Sequence, residues 1–224
     1  MRAQQADLGI AVDPDADRLV LFTEQGVPFG EEYSVTTAVD AVLGMHAPRT
    51  GLTVVVNLST TRAVDEVAAR HGAHVSRAPV GEINVVQAMK AAGAVIGGEG
   101  SGGIIMPAVH AGRDSLVGIV LVLHALAAHG GRASEYRASL PQFEIRKSRY
   151  STEGRDPAAV LARAAERFAG ERIDTRDGVR IDFPDGWVHL RASNTEPIMR
   201  IIGEARSAAE ADALVRMVSD RVFS

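Results

Sequence analysis

Three aspartates at alternate positions lie in one short loop of the sequence: Asp13, Asp15 and Asp17, followed directly by Arg18. Carboxylates held in one turn can converge on a hard divalent cation, and Mg²⁺ is favoured where phosphate oxygens complete its ligands. Arg18 stands where its guanidinium could pair with a phosphate. The loop is therefore a candidate magnesium site.

The loop has two other interpretations. An acidic surface turn is the simpler one, although three neighbouring carboxylates repel one another without a cation. A calcium EF-hand would use the aspartates and Glu24 at loop positions 1, 3, 5 and 12. That motif fails because Arg18 stands where the turn needs glycine, and because the flanks have the pattern of strands rather than helices.

A second segment, Gly97–Gly103, is rich in glycine and contains Glu99 and Ser101. Glycines allow the backbone to approach a ligand closely, while the two polar side chains can bond hydroxyl groups. The segment is not a Walker A loop, which needs a lysine, and a charged Glu99 does not suit a dinucleotide fingerprint. A plain flexible loop is the alternative.

The third segment, Arg191–Pro197, with Arg200 close behind it, combines donors suited to a phosphate. It offers a guanidinium, two hydroxyls and an amide, from Arg191, Ser193, Thr195 and Asn194. A polar hairpin loop between two strands is the alternative. Trp187, just before this segment, is predicted to be a core residue, and His71 and His74 are predicted to be surface residues rather than metal ligands.

Strands and helices alternate in the first 141 residues, which predicts a mostly parallel sheet with helices on both faces. The expected strands are Leu8–Val12, Leu19–Thr23, Leu52–Leu58, Ala73–Ser76 and Ala94–Gly97. The expected helices are Glu31–Leu43, stopped by Gly44; a helix capped by Ser59 and Thr60 and ending near His71; Ile83–Ala92; and Ser115–Ala128, capped by Asp114.

After Pro141 the pattern changes to that of a smaller α+β domain with an antiparallel sheet. Its expected strands are Phe143–Tyr150, Val179–Phe183, Trp187–Arg191 and Ile198–Ile202, with helices Pro157–Ala169 and Ala208–Val222. The fold class is therefore α/β followed by α+β.

The composition narrows the function classes further. The chain has 224 residues, 46% of them hydrophobic, a net charge of −4 and no cysteine. A disulfide scaffold, a thiolate zinc site and a cysteine nucleophile are excluded. The mild acidity argues against nonspecific nucleic-acid binding, and no apolar run predicts a membrane span. We expect a cytoplasmic location.

In this order and spacing, the three segments resemble the α-D-phosphohexomutase superfamily, which includes phosphoglucosamine mutases, phosphomannomutases and phosphoglucomutases. Asp13–Arg18 resembles the metal loop, usually Asp-Gly-Asp-Gly-Asp-Arg. Gly98–Gly103 resembles the sugar-recognition loop, and Arg191–Pro197 with Arg200 resembles the phosphate-binding loop. Val80–Asn84 and His110–Asp114 are similar to phosphoglucosamine mutase-like members.

The resemblance implies a role for each segment. Asp13, Asp15 and Asp17 would bind Mg²⁺, with Arg18 catalytic; Glu99 and Ser101 would contact sugar hydroxyls. The phosphate would be held by Arg191, Ser193, Asn194, Thr195 and Arg200. The implied substrate is a hexose phosphate that passes through a bisphosphate intermediate, and the implied reaction converts glucosamine 6-phosphate to glucosamine 1-phosphate.

The family's serine that carries the phosphoryl group has no counterpart in the sequence. We therefore expect the C-terminal half of such an enzyme, inactive by itself: a remnant of the second domain (residues 1–48), the third domain (49–141) and the last domain (142–224). A non-catalytic sugar-phosphate binding protein and a half-enzyme completed by a separately encoded N-terminal half stay open.

The sugar itself also stays open among glucosamine, mannose and glucose, because the sugar loop ends in Gly103 where many members have histidine. In the metal loop, Pro14 and Ala16 replace glycines, which should stiffen the turn.

Overall fold

The computed structural model describes residues 2–193 and 196–224 and divides the chain into two compact units, Met1–Pro141 and Gln142–Ser224. Each unit is described by itself. The predicted α/β fold followed by a smaller α+β domain is confirmed. The separation of residues 1–48 from residues 49–141 stays a prediction.

Unit 1 contains a two-stranded antiparallel sheet and a four-stranded mixed sheet. The first pairs β1 (Leu8–Val12) with β2 (Leu19–Thr23), after a short 3₁₀ turn at Arg2–Gln4. The second has the order β4-β3-β5-β6, in which only β6 is antiparallel to its neighbour. Its strands are β3 (Thr53–Asn57), β4 (His74–Ala78), β5 (Ile96–Glu99) and β6 (Gly103–Ile105).

Helices cover both faces of the four-stranded sheet. They are α1 (Glu31–Met45), α2 (Ala63–Arg70), α3 (Glu82–Ala92) and α4 (Ser115–His129), and a short helix, α5 (Ala133–Ser139), packs on α4. A Cβ added at Gly97 would meet Met89 of α3, whereas one added at Gly98 would meet Val35 of α1. Successive strand residues point to opposite faces, so α1 and α3 lie on opposite sides of β5. β3 is buried over most of its length, as its apolar run predicts.

Several local predictions for unit 1 were wrong. Gly44 does not stop α1, which continues to Met45 and ends at His46, whose N–H bonds the last-turn carbonyls. Ser59 and Thr60 do not cap α2, which begins only at Ala63. The Thr60 hydroxyl bonds Asn57 and accepts from Gly100 N instead. The cap at Asp114 is confirmed, because its carboxylate accepts from Leu116 N and Val117 N.

Unit 2 is a five-stranded antiparallel sheet of order β7-β11-β10-β9-β8 with two helices. The strands are β7 (Glu144–Ser151), β8 (Arg172–Asp174), β9 (Val179–Phe183), β10 (Gly186–Ala192) and β11 (Ile198–Ala205); the helices are α6 (Pro157–Arg167) and α7 (Ala208–Phe223). Both helices pack on one face of the sheet, through a core that includes Phe168, Ile181, Leu190, Ile201 and Val218. Trp187 is fully buried, as predicted.

Within residues 2–193 and 196–224, no single helix is long and apolar enough to span a bilayer. α4 and α5 reach the necessary length and hydropathy only together, as a pair bent by 89°.

Candidate functional site

The metal loop is a tight turn between β1 and β2. One oxygen from each of Asp13, Asp15 and Asp17 lies within 4.8 Å of the others. The turn is held by Asp17 N and Arg18 N, which donate to Asp13 Oδ1 at 3.1 and 3.0 Å. Ala16 has a left-handed φ of 57°, a conformation that favours glycine. The residue that replaces glycine in the family's usual loop is therefore strained rather than merely stiff.

The charges of the loop are unevenly compensated. Burial acts to raise the pKa of Asp13, but the backbone N–H groups of Arg18 and Asp17 outweigh it and lower that pKa. Burial raises the pKa of Asp17; Arg113 opposes this, and the charges of Asp15 and Asp13 add to it. Asp17 Oδ1 is buried and has no hydrogen-bond partner among the described residues. An unsatisfied buried carboxylate oxygen beside two others fits a hard cation.

The sugar loop is bonded to the metal loop through the backbone. Arg18 forms a β-bridge with Gly103, and Leu19 N donates to Gly102 O at 3.0 Å. A Cβ at Gly102 would lie 2.5 Å from Leu19 O, so only glycine allows this close approach. Two loops that are distant in the sequence are thus joined directly within unit 1.

Glu99 is buried at the end of β5, with 5% of its surface exposed. Its Oε1 accepts from Asn57 Nδ2 and from Gly81 N, both at 2.9 Å, and its Oε2 accepts from Arg113 at 3.0 Å. Three donors thus fix the direction of the carboxylate. Ser101 lies two residues further on and is half-buried.

Arg113 joins three carboxylates that come from different parts of unit 1. Its guanidinium nitrogens lie 2.5 Å from Asp17 Oδ2, 3.0 Å from Glu99 Oε2 and 3.5 Å from Glu82 Oε2. The backbone N–H of Arg113 also donates to Glu82 Oε1, at 2.8 Å. Burial acts to lower the pKa of Arg113, but the charges of Asp17 and Glu99 outweigh it and raise that pKa. Arg113 therefore links the metal loop to the sugar loop as a permanent cation.

A cleft of about 560 Å³ lies beside the metal loop. Its walls include Asp15, Asp17 and Arg113 on the polar side and Ile10, Val12 and Leu116 on the apolar side. A larger cleft of about 890 Å³ lies between the first residues and the end of α4, and none of the predicted site residues lines it. The convergent charged groups, rather than the volume, mark the smaller cleft as the candidate site.

The phosphate loop lies in unit 2, between β10 and β11. Arg191 Nε lies 2.9 Å from Asp177 Oδ2, and the two side chains form an ion pair. Ser193 Oγ accepts from Glu196 N at 3.3 Å. Asn194 and Thr195 lie outside the described residues. Arg200 is exposed on β11, directly opposite Arg191.

Sequence reasoning missed the role of Arg113 and of Asn57. In the sequence, only its similarity to phosphoglucosamine mutase-like proteins marks the segment His110–Asp114. A physical signal was present, because Arg113 directly precedes the N-cap of α4 in a stretch that also follows β6. Nothing in the local sequence, however, indicates that Glu82 and Glu99 meet it.

Comparisons with known proteins identify the family of this chain. The family model "Phosphoglucomutase/phosphomannomutase, alpha/beta/alpha domain III" matches residues 30–143, and the model of the family's C-terminal domain matches residues 147–221. The chain therefore belongs to the phosphoglucomutase/phosphomannomutase family.

Two relatives illustrate the match. A phosphoglucomutase/phosphomannomutase of Thermococcus kodakarensis is 38% identical over 94% of this chain and 46% of its own length. A probable phosphoglucosamine mutase of Methanopyrus kandleri is 36% identical over 96% of this chain and 47% of its own length. The chain thus spans about half the length of the curated relatives it matches.

Solved structures show the same fold. A phosphoglucomutase/phosphomannomutase family protein of Burkholderia thailandensis has a TM-score of 0.83 at 23% identity, over 99% of this chain and 47% of its own. An N-acetylphosphoglucosamine mutase of Aspergillus fumigatus, in complex with GlcNAc-6P and magnesium, has a TM-score of 0.69 at 18% identity, over 95% of this chain and 48% of its own.

Proposed function

We propose that this chain supplies the metal, sugar and phosphate contacts of a phosphohexomutase, with glucosamine 6-phosphate and glucosamine 1-phosphate as its substrate pair. Mannose or glucose phosphates are the alternative, since relatives carry all three kinds of name and Gly103 removes one sugar contact. The observation that carries the proposal is the bonding of the metal loop to the sugar loop through Gly102, Gly103 and Arg113.

The residues around the metal loop divide the work on the transferring phosphoryl group. Asp13, Asp15 and Asp17 would hold Mg²⁺, which when bound supplies positive charge that neutralises phosphoryl oxygens. Arg18 is exposed, 3.6 Å from Asp13 and 3.7 Å from Asp17, and can turn its guanidinium to the same oxygens. Arg113 holds Asp17 Oδ2 and leaves Oδ1 available.

Sugar and far phosphate would be held by the other two loops. Glu99 is fixed by three protein donors yet keeps lone pairs that can accept from sugar hydroxyls, and Ser101 offers a hydroxyl beside it. The phosphate loop would anchor the phosphate, through Arg191, Ser193, Asn194, Thr195 and Arg200. Side chains that the protein already fixes position the sugar without reorganisation, and positioning together with charge stabilisation supplies the rate in phosphoryl transfer.

Calorimetry tests this binding directly. With Mg²⁺ present, glucosamine 6-phosphate should bind the chain, and Arg191→Gln should weaken binding by at least about tenfold because one charge-assisted contact is lost. Arg216→Gln, which removes an exposed arginine from α7, is the matched control. Absence of binding at millimolar ligand would refute the proposal.

A second candidate function is that of a half-enzyme. A separately encoded N-terminal half would supply the serine that exchanges a phosphoryl group with the bisphosphate intermediate, and the two halves would meet in the cytoplasm. The supporting observation is an apolar surface on β1 and α4, formed by Ile10, Val12, Leu116, Val120 and Leu123, all at least 42% exposed. Such a patch is typical of an interface.

The N-terminal half of the Thermococcus kodakarensis relative, expressed separately, should co-elute with this chain, and Leu116→Asp should abolish co-elution. Separate elution of the wild-type pair would refute this candidate.

A further inference from the structure

Alternate residues of the sheet in unit 2 point away from its two helices. On β7 the Tyr150 side chain reaches Ser219 of α7, so its neighbour Arg149 points to the other face. On β11 Met199 and Ile201 lie in the helix-covered core, so Arg200 between them also points away. On β10 Leu190 lies in the same core, so its neighbour Arg191 points away from the helices as well. The three arginines therefore share one face.

The three arginines also stand in one row across the sheet. Arg200 is directly opposite Arg191 on one side and directly opposite Arg149 on the other. Directly opposed residues in antiparallel strands have Cβ atoms about 4.5–5.5 Å apart, and like charges so placed destabilise the sheet. A row of three arginines therefore costs free energy unless an anion compensates it.

One acidic group offsets part of this charge, because Asp177 pairs with Arg191 of the row. Two others have partners outside the row: Asp182 pairs with Arg180, and Glu204 accepts from Trp187. Among residues 2–193 and 196–224, no side chain forms a hydrogen bond or ion pair with Arg149 or Arg200. Both are exposed.

The row continues the predicted phosphate loop. Arg191 is the first residue of that loop, and Ser193 N donates to Ile198 O at 2.9 Å, two residues before Arg200. Planar guanidinium groups from neighbouring strands can each donate two hydrogen bonds to one phosphate. Arg149 is therefore within one strand spacing of groups already assigned to the phosphate.

We infer that Arg149 is a further phosphate-binding residue, which together with Arg200 extends the phosphate loop onto β7 and takes the phosphate of a sugar phosphate. The inference rests on the proposed function and deepens it. It places the anchoring phosphate against the sheet face, where three strands contribute positive charge, rather than within the loop alone.

The test uses the full chain in a buffer of low ionic strength free of phosphate and sulfate. Inorganic phosphate and glucose 6-phosphate are titrated by calorimetry into the wild type, Arg149→Gln, Arg200→Gln and the control Arg216→Gln. The melting temperature is measured with and without phosphate. We expect Arg149→Gln to weaken both ligands at least about tenfold, as loss of a charged hydrogen bond does.

The melting temperature separates binding from a structural role. Without phosphate, Arg149→Gln should melt at the wild-type temperature or above, because a like-charge contact is removed, while its stabilisation by phosphate should shrink. If Arg149→Gln binds phosphate and glucose 6-phosphate as tightly as the wild type, the inference is overturned. If Arg200→Gln weakens binding in that case, the proposed function still stands. A wild type that binds neither ligand overturns both.

Discussion

Replacing Arg113 with methionine tests the link between the two loops of unit 1. The substitution keeps most of the side-chain volume and removes the cation shared by Asp17, Glu82 and Glu99. Glu99, 5% exposed, would then keep only the donors from Asn57 and Gly81. Breaking a buried ion pair from one side costs about 3–5 kcal/mol. Because Glu99 keeps two donors, we expect a loss near the lower limit.

Urea denaturation followed by far-ultraviolet circular dichroism measures this loss. Arg49→Met, at an exposed arginine of the same unit, should change the unfolding free energy by less than about 0.5 kcal/mol. Adding Glu99→Gln to Arg113→Met should recover about 2 kcal/mol, since the most buried of the three carboxylates then carries no charge. A loss below about 1 kcal/mol in Arg113→Met, typical of an exposed pair, would refute the reasoning.

Three further predictions concern single residues. Burial lowers the pKa of His189 from 6.5 to about 4, so on acidification the unfolded chain binds a proton at this residue before the folded chain does. The contribution of His189 to the unfolding free energy should therefore fall by about 3 kcal/mol between pH 6.5 and pH 4. In urea titrations followed by Trp187 fluorescence, His189→Gln should reduce this dependence on pH. Gly98→Ala would place a Cβ 2.2 Å from Gly103 O at a φ of 152°, so it should cost at least about 3 kcal/mol, whereas Gly93→Ala, with open space around it, should cost about 1 kcal/mol; equal losses in urea titrations would contradict this. Asp17→Asn should weaken Mn²⁺ binding, measured by electron spin resonance, at least about tenfold, while Asp185→Asn should leave it unchanged.

Elements with a strong local signal were predicted well from the sequence. β1, β2 and β9 have the predicted bounds. β1 and β2 are apolar runs, whereas β9 alternates apolar with charged residues, and both patterns are typical of strands. α4 begins where Asp114 can cap it. In such segments the local hydrophobic pattern and the tertiary fold favour the same structure.

Elements that depend on distant partners were not predicted. β6 is three residues of a glycine-rich segment and becomes a strand only by pairing with β5. The late start of α2 has the same cause, since Gly100 N and Asn57 engage the Thr60 hydroxyl that the sequence assigned to a cap. Short strands and caps of this kind are decided by tertiary contacts rather than propensity.

The candidate site shows the same division. The three aspartates lie close together because they share one turn, and spacing alone predicts that. The approach of Glu99 and Arg113 to Asp17 depends on how β2, β5 and α4 are placed, which no local pattern encodes. The row formed by Arg149, Arg200 and Arg191 likewise depends on the register of three strands.

The most direct test of the central claim, that the metal and sugar loops form one sugar-phosphate site, uses the ¹H resonances of the sugar ring of glucose 6-phosphate in the presence of the chain and Mn²⁺. Bound Mn²⁺ should broaden these resonances beyond the broadening by free Mn²⁺, and Asp15→Asn combined with Asp17→Asn should abolish the excess. A chain that binds Mn²⁺ yet leaves the ring-proton lines no broader than free Mn²⁺ does would contradict the account.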